Sequence, residues 1–301
     1  MADPSSPLPG IPDPGDPRRT FVSWDGTELA YLSMGEGPVV LLSNGLGGTW
    51  AAFRHIVRYF EGRLRFVTWD YRGLHKSRFP QDHARIDVVD HARDADALLR
   101  HLDVREAIVV GWSMGAQVNF ELFRLRPELF RALVIINGTA GGAFRAALEG
   151  RFGADWFPNF AAAAGRTTRR WVPWLRWVVS KPRFMQLFKI MGFAAESLDE
   201  ETFKELASDY GTLDFSVYME LIKRLGEHQA EDVLPTIHVP TLILAGKRDL
   251  FTPPALSERM QQLIAGAELL LVRGGTHYLP VEFPELLCLR IERFLRDHRL
   301  M

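Results

Sequence analysis

The stretch Gly111-Trp112-Ser113-Met114-Gly115 follows the apolar run "AIVV" and precedes the helix-like "AQVNFELFRLRPELF". A strand that enters a helix through a very sharp turn forces its central residue into a strained backbone conformation and crowds the residues two positions away. Only small residues fit at those flanking positions, which is why glycines bracket the serine. Such a turn lifts the Ser113 hydroxyl above the sheet edge, at the positive N-terminal end of the following helix, where charge developing on an oxygen is stabilised. A bare G-x-S-x-G is a weak pattern. The strand-turn-helix setting is what makes Ser113 a candidate nucleophile.

On either side of this stretch, apolar runs alternate with helical patterns. "TFVSW" and "TELAYLS" flank Asp25-Gly26, a dipeptide that favours a tight primed hairpin turn, so the chain is expected to open with two antiparallel strands. "PVVLLS", "RFVTWD", "EAIVVG" and "ALVIING" follow, separated by helices expected near residues 49–60, 86–101 and after Ser113. Beyond residue 238, "PTLILAG" and "AELLLVRG" resume the pattern around a helix expected near 254–265. Continuous apolar strands separated by amphipathic helices imply a mostly parallel sheet covered on both faces, a doubly wound α/β architecture. Residues 140–232 break the rhythm with helix-like segments and no convincing buried strand, so they read as a helical insertion after the sixth strand. Residues 1–19 are rich in proline, aspartate and glycine, lack apolar periodicity, and read as a disordered tail.

A serine hydroxyl is a poor nucleophile at neutral pH, so it needs a base, and the base needs an orienting acid. After this kind of turn the acid and then the histidine follow on loops at later strand ends. "PTLILAGKRDLFTPP" places Asp249 just past one buried strand, and "AELLLVRGGTHYLPVEFPE" places His277 just past the next. Turn formation alone is the plainer role for Asp249, but no other acid competes at a strand end; the loop after "LVIIN" offers Asn137 and no carboxylate. Two N–H donors are needed for the oxyanion: Met114, directly after the nucleophile, and Leu46 in the glycine-rich "SNGLGG". Gly45 and Trp112 are the expected substrate contacts. A phosphate-binding reading of the glycine loop is disfavoured, since neither G-x-G-x-x-G nor a Walker lysine pattern is present.

Composition bounds the rest. The chain has 301 residues, 47% hydrophobic and 24% charged, enough to bury a substantial core. A formal net charge of -1 gives no global basic field to draw it to nucleic acid. The single cysteine, Cys288, excludes an intramolecular disulfide, has no zinc-type spacing around it, and reads as buried filler. No secretory pattern opens the chain and no apolar run is long enough to span a bilayer, so a cytoplasmic protein is expected.

Together "NGLGG", "DYRGLHKS", "GWSMG", "GKRD" and "GGTHYLPVEFPE", in that order, resemble the α/β-hydrolase superfamily from about residue 20 to the C-terminus. The resemblance implies a core over residues 20–139 and 233–301, with 140–232 as a cap over the pocket. It implies a serine hydrolase needing no metal or organic cofactor, with a small-molecule carboxylic ester as substrate, apolar in its acyl or alcohol part. Carbon-carbon bond hydrolysis, cofactor-free perhydrolase or haloperoxidase-like chemistry, and ligand sensing without turnover remain open. Ser113 argues against the superfamily's dehalogenases and epoxide hydrolases, which use aspartate. Two positions depart from the commonest pattern. Asn44 stands where many relatives have histidine, and His75 stands at a frequent glycine position, where it is expected to face solvent. The first half of the cap holds Trp156, Trp171, Trp174 and Trp177 and seven basic residues, with no acid from residue 156 to 195. Those aromatics either roof an apolar pocket or dock on anionic lipid as an interfacial surface.

Overall fold

The computed structural model describes residues 19–142, 186, 189–210 and 213–301. Residues 1–18 of the proline-rich tail lie outside the described residues, as do the four tryptophans of the cap's first half and the lipid-docking surface expected there, whereas Arg19, expected in the tail, opens the first strand.

Eight strands form one sheet in the order β1-β2-β4-β3-β5-β6-β7-β8. They are β1 (Arg19–Val22), β2 (Glu28–Met34), β3 (Val39–Ser43), β4 (Arg65–Trp69), β5 (Ala107–Trp112), β6 (Phe130–Ile136), β7 (Thr241–Gly246) and β8 (Glu268–Val272). The β1–β2 and β2–β4 pairs are antiparallel, and every later pair is parallel. All six residues of β5 and of β7 are buried, as continuous apolar runs with both faces covered must be.

Alternation along the strands sorts the core into two layers. Leu41, Val109, Leu133 and Ile243 point to one face and Leu42, Val110, Val134 and Leu244 to the other. The first face is covered by α2 (Val88–His101), α3 (Met114–Leu125) and α6 (Pro254–Leu263), through Leu98, Phe120 and Met260 among others. The second is covered by α1 (Arg54–Tyr59) and α7 (Pro284–Asp297), through Ile56, Ile291 and Phe294. Cys288 is buried in this second layer. Between β6 and β7 the described part of the cap includes α4 (Glu200–Tyr210) and α5 (Phe215–Glu227).

The opening hairpin differs from expectation in its turn. Gly26 alone has a positive φ, 87°, whereas a primed type I turn needs two such residues. Ser23 N–H bonds Thr27 O at 2.8 Å and Gly26 N–H bonds Ser23 O at 3.0 Å, which gives a three-residue loop closed by a left-handed glycine. Asp25 is thereby freed to point inward. Its carboxylate pairs at 2.9 Å with Arg72, whose side chain is fully buried and also bonds Asp94 of α2 and Arg85 O. The hairpin, the loop after β4 and helix α2 are thus tied at one buried guanidinium.

Candidate active site

Ser113 sits between β5 and α3 with φ 55° and ψ -118°, a left-handed conformation that costs on the order of 1–3 kcal/mol for a residue with a β-carbon. The crowding inferred from sequence is present. A β-carbon on Gly111 would lie 2.6 Å from Gly115 O, and one on Gly115 would collide with Ser43 O on the neighbouring strand. The strained turn is held in place by Ser113 N–H on Ile136 O at 3.0 Å.

The three residues that sequence places on separate strand ends meet here. Ser113 Oγ lies 2.8 Å from His277 Nε2, and His277 Nδ1 lies 2.8 Å from Asp249 Oδ2. With Nδ1–H donating to the carboxylate, Nε2 carries the lone pair facing the serine hydroxyl. Asp249 is buried, and its Oδ1 accepts Phe251 N–H at 2.8 Å and Thr252 N–H at 2.9 Å. Oδ2 also accepts the Thr252 hydroxyl at 2.6 Å and the Asn137 amide. Burial alone would raise the Asp249 pKa, but His277 and these hydrogen bonds outweigh it and hold the carboxyl below its ordinary value.

Sequence reasoning set Asn137 aside because it carries no charge. In the structure its Nδ2 donates to Asp249 and, at 3.0 Å, to Thr276 O, so one buried carboxamide bridges the acid's loop and the histidine's. The buried Glu282 grips that histidine loop again, accepting Thr276 N–H at 2.8 Å, and it accepts Ala195 N–H of the cap at 2.8 Å. No periodicity marks either residue in the sequence. Asn137 is visible only as the polar residue that ends an apolar strand.

Trp112, expected to touch substrate, is buried, with its indole Nε1–H on His277 O at 2.9 Å. A β-carbon on Gly45 would lie 2.9 Å from that indole, so Gly45 is small because the tryptophan ring passes against it. Asn44 Nδ2 donates to Thr68 Oγ1 and Trp69 O, both at 3.2 Å, anchoring the glycine loop to β4. Leu46 N–H and Met114 N–H have no hydrogen-bond partner among the described residues. His75 departs from the expected solvent-facing position: it is partly buried, with Nε2 at 3.1 Å from Gly47 O. Aromatic rings surround the base. Phe251 is 5.1 Å and Tyr278 6.0 Å from the His277 ring, and Phe193 is 6.0 Å from Phe251.

Among the described residues no group of three or more His, Cys, Asp or Glu is arranged to hold a metal ion, and no helix is long and apolar enough to cross a membrane. An open cleft of about 540 Å³ lined by His55, Asp199, Glu282 and Glu285 includes neither Ser113 nor His277, so it is separate from this constellation.

Residues 38–284 match the family model described as the alpha/beta hydrolase fold. The chain belongs to that family. It is 26% identical over 260 residues to the "Putative carbamate hydrolase RutD" of Azorhizobium caulinodans, covering 86% of this chain and 91% of that one. It is 25% identical to 3-oxoadipate enol-lactonase 2 of Acinetobacter baylyi, covering 85% and 89%. Among solved structures, a thermophilic esterase from Thermogutta terrifontis superposes with a TM-score of 0.75 at 21% identity, over 94% of this chain and 99% of that one. This α/β-hydrolase is therefore an enzyme of the hydrolase class, on a fold shared with that esterase.

Proposed function

We propose that this α/β-hydrolase is a serine hydrolase that cleaves carboxylic esters with an apolar acyl or alcohol part. The observation that carries the reading is the continuous hydrogen-bonded chain from Ser113 Oγ through His277 to Asp249. Ser113 Oγ attacks the ester carbonyl carbon while His277 Nε2 takes its proton, and Asp249 stabilises the imidazolium so formed. The tetrahedral oxyanion is received by Leu46 N–H and Met114 N–H, which have no hydrogen-bond partner among the described residues. Collapse breaks the bond to the alcohol, which leaves with the proton from His277. Water then gives a proton to His277 and attacks the acyl carbon, and Ser113 is released with that proton while the acid product departs. The aromatic rings about His277 support an apolar substrate part.

The relatives' names bear on the acyl group: an enol-lactone and a carbamate both present a carbonyl attacked in the same manner. Hydrolysis of chromogenic esters from acetyl to palmitoyl, together with an enol-lactone, by wild type and Ser113→Ala tests the reading. Turnover by wild type that the variant loses by about three or more orders of magnitude supports it. Turnover retained in the variant removes Ser113 as nucleophile.

A further inference from the structure

Three of the five residues from Asn44 to Gly48 are glycines, so this loop has little stiffness of its own, while an oxyanion donor works only at a fixed position and angle. The structure supplies the stiffness from outside. Four successive carbonyls are each held: Asn44 O by the Tyr71 hydroxyl at 2.7 Å and Gly45 O by Gly48 N–H at 2.9 Å, then Leu46 O by the Tyr210 hydroxyl at 2.8 Å and Gly47 O by His75 Nε2 at 3.1 Å. In a trans peptide the N–H points opposite to the carbonyl, so fixing Gly45 O on Gly48 N–H fixes the direction of Leu46 N–H. That short turn keeps its shape only if the next two peptides keep theirs, and their carbonyls are the ones that Tyr210 and His75 hold.

Two further features show that these grips are built. His75 has φ 50°, a left-handed conformation in which its β-carbon is disfavoured. A glycine would adopt that conformation without penalty, but it has no ring to reach Gly47 O. Tyr210, the last residue of α4 in the cap, lays its ring on Gly47, where a β-carbon would lie 2.6 Å from Cε1. Burial holds the Tyr210 phenol's pKa well above its ordinary value, so the hydroxyl remains a donor.

We propose that His75 and Tyr210 are positioning residues of this enzyme, gripping Gly47 O and Leu46 O respectively so that Leu46 N–H is aimed at the oxyanion. One grip comes from the loop after β4 and the other from the cap, so the oxyanion site is completed by the cap. The inference rests on the serine-hydrolase reading.

The test compares wild type, Tyr210→Phe and His75→Gly for kcat and KM on p-nitrophenyl butyrate, for the rate of Ser113 labelling by an alkyl fluorophosphonate, and for Tm. Tyr210→Phe keeps the ring and loses only the hydroxyl; His75→Gly loses the donor and relieves the strain. Complete loss of an oxyanion donor lowers kcat by 10²–10³, so a misaimed donor is expected to lower kcat and the labelling rate by about tenfold, with KM within about twofold. His75→Gly is expected to keep or raise Tm while losing rate, a combination that a purely structural residue does not give. Rates within about twofold of wild type in both variants overturn the proposal, as does a rise in KM at constant kcat, which marks substrate contacts instead. A wild type that neither hydrolyses the ester nor is labelled at Ser113 overturns the hydrolase reading itself, before any variant is compared.

Discussion

The indole N–H of Trp112 donates to the carbonyl oxygen of His277 at 2.9 Å, so the residue before the candidate nucleophile carries the backbone of the candidate base. The bond joins the end of β5 to the loop after β8 across 165 residues of sequence. Trp112→Phe keeps an apolar ring but leaves that buried carbonyl unpaired, which costs about 1–3 kcal/mol. We expect a lower urea midpoint at an unchanged m-value, and a fall in kcat larger than any change in KM. Full activity with full stability would show that the histidine loop does not depend on this bond.

Asn137 is expected to matter through Asp249. Asn137→Ala removes one donor from the carboxylate and one from Thr276 O, so kcat should fall by about tenfold, less than the roughly 10²–10⁴ that a whole acid–base group contributes. The Asp249 pKa is depressed in the fold, so its contribution to stability is fully present above its unfolded value near 3.8 and is lost as pH falls through the lower folded value. Unfolding measured from pH 3 to 7 should therefore show a stability gap between wild type and Asp249→Asn that is largest above about pH 4 and closes below it. A gap independent of pH would contradict the assignment.

Gly115 and Gly26 separate steric from conformational cost. A β-carbon at Gly115 meets the backbone oxygen of Ser43, which has no flexible end to move away, whereas one at Gly26 meets nothing within 4 Å. Gly26→Ala pays only for its φ of 87°, about 1 kcal/mol, and should fold and remain active. Gly115→Ala pushes α3 from β3 and should cost about 3 kcal/mol or more, with loss of activity, readable in thermal melts and ester turnover.

His91 gives a pH-dependent stability unrelated to catalysis. The side chain is fully buried against the Tyr71 ring, 4.7 Å between centroids, with the Ile86 backbone beside it. Burial, with the nearby Arg72 charge, lowers its pKa from 6.5 to about 3. Below about pH 6.5 the unfolded chain takes up a proton that the fold refuses, so stability is lost as pH falls, at up to about 1.4 kcal/mol per pH unit until the folded value is reached. His91→Leu should flatten that slope, because leucine takes up no proton in either state. An unchanged acid slope in the variant would place the titrating group elsewhere.

The sequence by itself determined the doubly wound sheet, because apolar runs too continuous for one buried face have few other places to go, and strands, helices and the insertion follow in that order. It also marked Ser113, Asp249 and His277, since glycine spacing around a sharp turn and polar residues at strand ends are local signals. The details of the hairpin turn were not local. Asp-Gly fits several turn types, and the buried Arg72 that draws Asp25 inward lies 47 residues away. The hydrogen-bond partner of Trp112 is a backbone carbonyl, and backbone groups leave no trace in residue identities. His75 and Asn137 are of the same kind. Each makes its decisive hydrogen bond to a residue 28 or 112 positions away, and only the tertiary structure, by bringing strand ends and loops together, decided which polar group met which.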